Sequence, residues 1–266
     1  MLNAKHLTYY FLKTTSISWI NNGIIENIII IINSVTDRIE VLNIVDRKGT
    51  LVTANWIAIP NIKEKTRLHW NSIDVNKFKT TEENKDKFKK ELVQEFNADE
   101  DKPIILFVGN LIKRKNVELL LEAKKEMGMK ANLVIIGDGP QSEELKAKCE
   151  KEDIEDVYFT GTRRDVEDII PSCDLLVLPS FSESFGLVLI EALSCGKPVI
   201  GSNVGGIKEI ITEDVGLLID PNDPSDLANA IDRVLSDEEL MERFKSNARD
   251  RAKDFGETKL PYDELN

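Results

Sequence analysis

PIILFVGNLIKRKNVELLLEAKKEMGMKANLVIIGDGP, residues 103–140, decides the fold of this chain. It opens on the apolar run IILFV (104–108) and closes on a second, LVIIG (133–137). Between them Val117, Leu120, Leu121 and Lys124 follow the 3.6-residue period of an amphipathic helix. Strand, helix and strand in so short a span make one βαβ unit of a parallel sheet.

The pattern then repeats. VYFTG (157–161), LLVLP (175–179), PVIG (198–201) and GLLID (216–220) read as four further strands. Helical patterns fall at 115–127, 141–152, 163–171, 185–195, 205–212 and 224–235, and a last helix follows Asp237. Steady alternation predicts an α/β domain with helices on both faces of a parallel sheet. Right-handed crossovers make it a doubly wound, Rossmann-like domain. Such sheets bind ligands beyond the carboxyl ends of their strands. Those ends carry GNLIKRKN (109–116), GDGP (137–140), SFSESFG (180–186) and SNVGG (202–206). Glycine lets a backbone come close to a ligand, so four glycine-bearing loops on one rim are read as a crevice. Ordinary βα turn chemistry, which also favours glycine, is the alternative.

Before residue 100 the pattern is irregular. Residues 24–32 read as a strand, 35–43 as a short helix, 51–59 as a strand and 77–94 as a lysine-rich helix. The expected organisation is a partial N-terminal α/β segment over 1–100 and the Rossmann-like domain over 101–266.

Composition narrows the function. A net charge of −12 over 266 residues disfavours nucleic-acid binding, which needs Lys and Arg against phosphate. Cys149, Cys173 and Cys195 form no CxxC pair, which argues against a disulfide framework or zinc site and fits a reducing, cytoplasmic setting. The longest apolar run, 28–32, is far short of the ~20 residues that span a bilayer. No signal pattern opens the chain, and any membrane contact is expected to be peripheral, at the inner face.

The chemistry concentrates in ESFGLVLIEALSCGKPVI (183–200). A helix is expected to start near Ser184 to Gly186, and its apolar faces bury it. Glu191 lies inside it, and a buried carboxylate needs a partner: a ligand, or else a salt bridge or a solvent-facing gap. The first free N–H groups, around Phe185 to Leu187, suit phosphate. Glu191 stands roughly 6–9 Å further along the axis, within reach of ribose hydroxyls that a carboxylate accepts well.

Other motifs fail on detail. SCGKP (194–198) resembles part of a P-loop, but Glu191 replaces its first glycine and Pro198 its Ser/Thr. Gly137 and Gly139 lack the third glycine of a dinucleotide fingerprint. Asp99 and Asp101 spell D-x-D but precede a strand, so metal independence is expected. His6 and His69 read as packed or exposed rather than catalytic, and Cys195 as a small buried residue.

Two glutamates with seven residues between them, Glu183 and Glu191, resemble the E-x7-E motif of the retaining GT-B glycosyltransferases. FVGNLIKRKN, LVIIGDGP, VYFTG, DLLVLPSFSESFGLVLIEALSCGKPVI, VGGIKEII and GLLIDPNDPSDLANAI follow, in order, the text of the family-4 group, also called glycosyl transferases group 1. The resemblance covers 102–255, and NSIDVNKF (71–78) resembles the segment where that family crosses between domains. It implies the C-terminal half of a GT-B fold, with a UDP- or GDP-sugar as donor substrate and no separate cofactor. Glu191 would hold the ribose and Glu183 the donor sugar. Backbone groups of Ser184, Phe185, Gly186 and Leu187 would meet the sugar and phosphates. Lys115 would sit on the diphosphate, with Gly109, Asn110 and Arg114 on the nucleotide side. Asn110 departs from the family's usual arginine, and Arg114 or Lys113 stands by to compensate.

The implied reaction moves a sugar from a nucleoside diphosphate to an acceptor hydroxyl on a glycan or lipid. A full GT-B enzyme carries a larger acceptor domain than 1–100 allows, and no glycine-rich loop stands there. Two alternatives stay open: a non-catalytic sugar-nucleotide-binding subunit or truncated remnant that needs a partner chain, and another GT-B enzyme such as a sugar-nucleotide epimerase.

Overall fold

A computed structural model describes residues 73–256 with their side chains, and the backbone of five strands before them. The chain divides into two compact units, Met1–Asn71 and Ser72–Asn266.

In the first unit β1 (Tyr9–Phe11) pairs in parallel with β5 (Thr66–Leu68). The strands β2 (Asn27–Asn33), β3 (Arg38–Val45) and β4 (Leu51–Val52) form an antiparallel sheet. The strand read at 24–32 is β2. The helix read at 35–43 is corrected: from Arg38 onward those residues are β3. Ile39, Val41, Ile44 and Val45 are β-branched, and such residues suit a pleated surface better than a helix. The isoleucine strand β2, four residues upstream, pairs with β3 as an antiparallel hairpin. Of the strand read at 51–59 only β4 lies among the described residues; His6 and His69 lie outside them.

The second unit holds one six-stranded sheet. Its strands are β6 (Ile104–Val108), β7 (Asn132–Ile136), β8 (Val157–Gly161), β9 (Leu175–Leu178), β10 (Val199–Ser202) and β11 (Gly216–Ile219). Every neighbouring pair is parallel, in the order β11-β10-β9-β6-β7-β8. Numbered within this unit, that is 6-5-4-1-2-3, the Rossmann order read from the far edge. All six strands lie within about two residues of the sequence reading. The four inner strands are buried along nearly their whole length, as both-face coverage requires.

The covering helices are α1 (Lys87–Phe96), α2 (Val117–Glu126), α3 (Ser142–Glu152), α4 (Val166–Ile169), α5 (Leu187–Ser194), α6 (Ile207–Ile210), α7 (Pro224–Ser236) and α8 (Glu238–Lys253). The helix read at 77–94 begins only at Lys87. Thr81 and Asn84 exchange side-chain to backbone hydrogen bonds of 2.7 and 3.2 Å, which hold that stretch in a turn instead. The helix read at 163–171 is the single turn α4 followed by a 3-10 turn over Ile170–Ser172, where Pro171 cannot continue an α-helix. Asp223 and Asp237 cap α7 and α8 by accepting backbone N–H bonds, and Pro224 opens α7 at its first position. Leu227, Ile231 and Val234 bury one face of α7, which packs on α2, while α8 packs on α5.

Several strand-end glycines serve loop-on-loop packing. A Cβ on Gly137 would lie 1.9 Å from the Gly109 carbonyl oxygen, at a φ of +136°. One on Gly205 would lie 2.0 Å from the Glu183 carbonyl, and one on Gly206 2.4 Å from that of Ser184. These glycines let neighbouring loops touch backbone to backbone, the part of the rim's glycine content that the crevice reading had given to a ligand. Gly137→Ala is expected to destabilise the domain by about 2–3 kcal/mol, through strain and overpacking. Urea unfolding checks it; an unchanged midpoint contradicts the packing described.

Candidate active site

The sheet order changes direction between β6 and β9, the point where a doubly wound sheet opens a crevice. The loops that leave these two strands, 109–116 and 179–186, carry most of the residues read as functional. They meet. Phe181 N–H donates to the Arg114 carbonyl at 2.9 Å. The Arg114 guanidinium donates to the Ser182 carbonyl at 2.8 Å and reaches Glu183 at 3.4 Å. Lys115 Nζ donates to Glu183 Oε2 at 2.5 Å. The Lys115 and Glu183 side chains are only 15% and 11% exposed, so this pair is weakly screened by solvent. Glu183 is thus the counter-ion of Lys115, with Arg114 on the solvent side.

Local sequence explains how Lys115 is placed. Helix α2 does not begin at 115, as its apolar period had suggested. Residues Lys113–Lys115 form a 3-10 turn, closed by Lys115 N–H to the Ile112 carbonyl at 2.8 Å. Asn116 then turns left-handed, φ 54°, before α2 starts at Val117. Gly109 lies at the exit of β6, its N–H on the Ile136 carbonyl at 2.9 Å. Asn110 is exposed.

Helix α5 starts at Leu187, later than the sequence reading placed it. Gly186 is its N-cap, in the left-handed region at φ 96°. Ser184 and Phe185 therefore belong to the loop. Ser184 is exposed, while the buried Phe185 ring packs edge-on against Phe255 at 5.7 Å. No side chain caps α5, a feature it shares with α1 to α4 and α6. Its first amides and the positive end of its dipole supply a place for an anion. Leu187 itself is exposed beside them.

Glu191 lies one helical turn into α5, about 6 Å along the axis from Leu187. It is half-buried, and no hydrogen bond or ion pair reaches its carboxylate among the described residues. Burial raises its pKa; the Lys77 ammonium opposes that shift and the Glu167 carboxylate reinforces it. Lys77 and Glu167 pair with each other at 3.1 Å, so Lys77 is already partly neutralised. The carboxylate that sequence reasoning said needs a partner thus has a charged neighbourhood but no bond.

A carboxylate whose pKa rises on folding costs stability as the pH climbs from the unfolded carboxyl range through its folded pKa. Glu191→Gln is accordingly expected to raise the melting temperature at pH 7. The gain should fade in acid, where the parent is neutral as well. A melting temperature at or below the parent's at pH 7 contradicts the environment described.

The motifs set aside occupy other places. Lys197 of SCGKP precedes β10, at the amino ends of the strands and so on the rim opposite the crevice. Asp99 and Asp101 precede β6, where the Asp99 carboxylate accepts from Asp101 N–H at 3.0 Å. No cluster of metal-ligating side chains occurs among the described residues. Burial pushes the thiols of Cys173 and Cys195 up to about 12, which leaves them protonated at neutral pH. No helix among the described residues is long and apolar enough to cross a membrane.

Sheet order and the two crossing loops define a Rossmann-like domain with its crevice between β6 and β9, and its structural neighbours are GT-B glycosyltransferases. The chain belongs to the family described as glycosyl transferases group 1, whose sequence model matches residues 88–251. It is 36% identical over 170 residues to N-acetyl-alpha-D-glucosaminyl L-malate synthase of Bacillus anthracis, covering 61% of this chain and 45% of that one. Among solved structures it resembles Anabaena HepE, in complex with UDP and glucose, with a TM-score of 0.66 and 27% identity, over 73% of this chain and 54% of HepE. It shares the fold of the C-terminal domain of LpcC, a group 1 family protein of Francisella tularensis, with a TM-score of 0.58 and 22% identity, over 68% of this chain and 97% of that one. The chain spans about half the length of the fuller relatives it matches.

Proposed function

We propose that this chain is the donor-binding part of a metal-independent, retaining glycosyltransferase of family 4, acting on a nucleoside-diphosphate sugar. The observation that carries the reading is the partly buried Lys115–Glu183 pair at the topological switch point, beside the uncapped start of α5. An ammonium and a row of free amides stabilise the charge that develops on a departing diphosphate. In the reaction the anomeric C1–O bond to the diphosphate breaks and a C1–O bond to the acceptor oxygen forms. The acceptor's proton passes to a diphosphate oxygen. Glu191 accepts hydrogen bonds from the ribose hydroxyls. Glu183 orients the sugar and keeps Lys115 aligned. Backbone near Gly161 and Thr162, at the exit of β8, lies on the base side.

UDP-sugars are the first donors to test, since HepE holds UDP and glucose, and GDP-sugars the second. The acceptor is a hydroxyl of a glycan or lipid, met by a cytoplasmic protein at the inner membrane face. Incubating the chain with UDP- and GDP-sugars, and measuring released nucleoside diphosphate with and without glycan or lipid acceptors, tests the reading. Release from at least one donor is expected. Conversion of the free sugar nucleotide to an isomer, without release, would replace this reading by an epimerase.

A further inference from the structure

The exits of three strands, β6, β9 and β11, converge on the side chain of Asn116. It is 6% exposed. Its Nδ2 donates to the Pro179 carbonyl at 3.1 Å and to the Pro221 carbonyl at 2.8 Å. Pro179 follows β9 and opens the loop that carries Glu183; Pro221 follows β11. Asn116 itself ends the turn that carries Lys115, with its N–H on the Lys113 carbonyl at 3.1 Å. Its own carbonyl receives the Leu119 N–H at 3.2 Å, so it also begins α2.

Two demands therefore meet at one position. The backbone must be left-handed, at φ 54° and ψ 42°, to turn from the 3-10 turn into α2. Glycine satisfies this at least cost, and asparagine is among the few other residues that enter the region readily. Two carbonyls at separate strand ends also need a donor, and an asparagine amide supplies two N–H groups. Glycine would meet the first demand and leave both carbonyls without this partner. Buried carbonyls gain from being paired, and a buried amide spanning two loops fixes their spacing.

We propose that Asn116 is a positioning residue: its amide ties the Lys113–Lys115 turn to the exits of β9 and β11 and so sets Lys115 against the Glu183 loop. Lys115 is the residue just before it in the chain, and its ammonium bonds Glu183 on the loop that Pro179 opens. The inference rests on the reading of Lys115 as the cation that receives diphosphate.

A double-mutant cycle tests it, read by calorimetric titration of UDP and GDP into four proteins: the parent, Asn116→Gly, Lys115→Ala and the double variant. Asn116→Gly keeps the left-handed turn and deletes the amide. It is expected to weaken nucleotide binding about fivefold in the parent, and less than about 1.5-fold once Lys115 is gone, because residues that act through one another are not additive. Asn116→Asp keeps the shape but offers no donor, and should lose at least as much in the parent; it serves if the glycine variant does not fold. Equal loss with and without Lys115 would make Asn116 a general structural residue and overturn the proposal, as would no loss at all. If Lys115→Ala weakens binding and the Asn116 variants do not, the proposal alone fails. If the parent binds neither nucleotide, the functional reading falls first and the proposal with it.

Discussion

Lys115→Ala is expected to lower sugar transfer at least tenfold, about 1.4 kcal/mol in the barrier. The ammonium stands at the switch point between β6 and β9, 15% exposed, where charge on a leaving diphosphate is poorly screened by water. Such stabilisation is larger in the transition state than in the ground state, so turnover should fall more than donor affinity. The variant also removes the near counter-ion of Glu183 and leaves Arg114 at 3.4 Å as its neighbour. A melting curve alongside the kinetics separates lost stability from lost catalysis. Unchanged turnover in a folded variant rejects the role.

Glu191→Ala is expected to weaken nucleotide binding about ten- to a hundredfold, the value of one charge-assisted hydrogen bond of roughly 1.5–3 kcal/mol. Its carboxylate is half-buried one turn into α5 and accepts no hydrogen bond among the described residues. That is an acceptor kept free at a cost in solvation. Glu183→Ala should behave differently and lower transfer more than binding, because in the proposed reading Glu183 faces the sugar and holds Lys115 rather than the nucleotide. The pair of variants gives opposite patterns in the affinity and rate columns. If both bind UDP and GDP as the parent does, the division of labour between the two glutamates fails.

Much of the fold was legible because strands and helices of this size have local signatures. IILFV, LVIIG and LLVLP are short apolar runs bounded by glycine or proline, and each is a strand within about one residue. Helix starts were less legible. Gly186 could be read as the first turn of a helix or as its left-handed cap, and the cap is what the chain makes. The helix read at 35–43 failed because β3 is the second strand of a hairpin with β2, and its β-branched Ile39, Val41, Ile44 and Val45 were weighed without that partner.

The site divides in the same way. Glu183 and Glu191 stand eight positions apart on one loop and helix, so their spacing is visible in the text. The contact between Lys115 and Glu183 joins residues 68 apart and exists only through the order of strands. Asn116 is not distinguished within GNLIKRKN, since an asparagine in a loop has many innocuous uses; a buried left-handed one bonded to two strand exits does not. The glycines of SNVGG and GDGP carried a signal of close approach, but the sequence does not say whether the approaching group is a ligand or the next loop.

The most direct test is a thermal-shift titration with a panel of UDP- and GDP-sugars on the parent and Glu191→Ala, since a ligand that binds the folded state raises its melting temperature. At least one sugar nucleotide should raise the parent's melting point in a saturable way, with the shift much reduced in the variant at the same concentrations. No shift with any sugar nucleotide at millimolar concentration, or an equal shift in both proteins, would contradict a donor site built on α5 and the switch point.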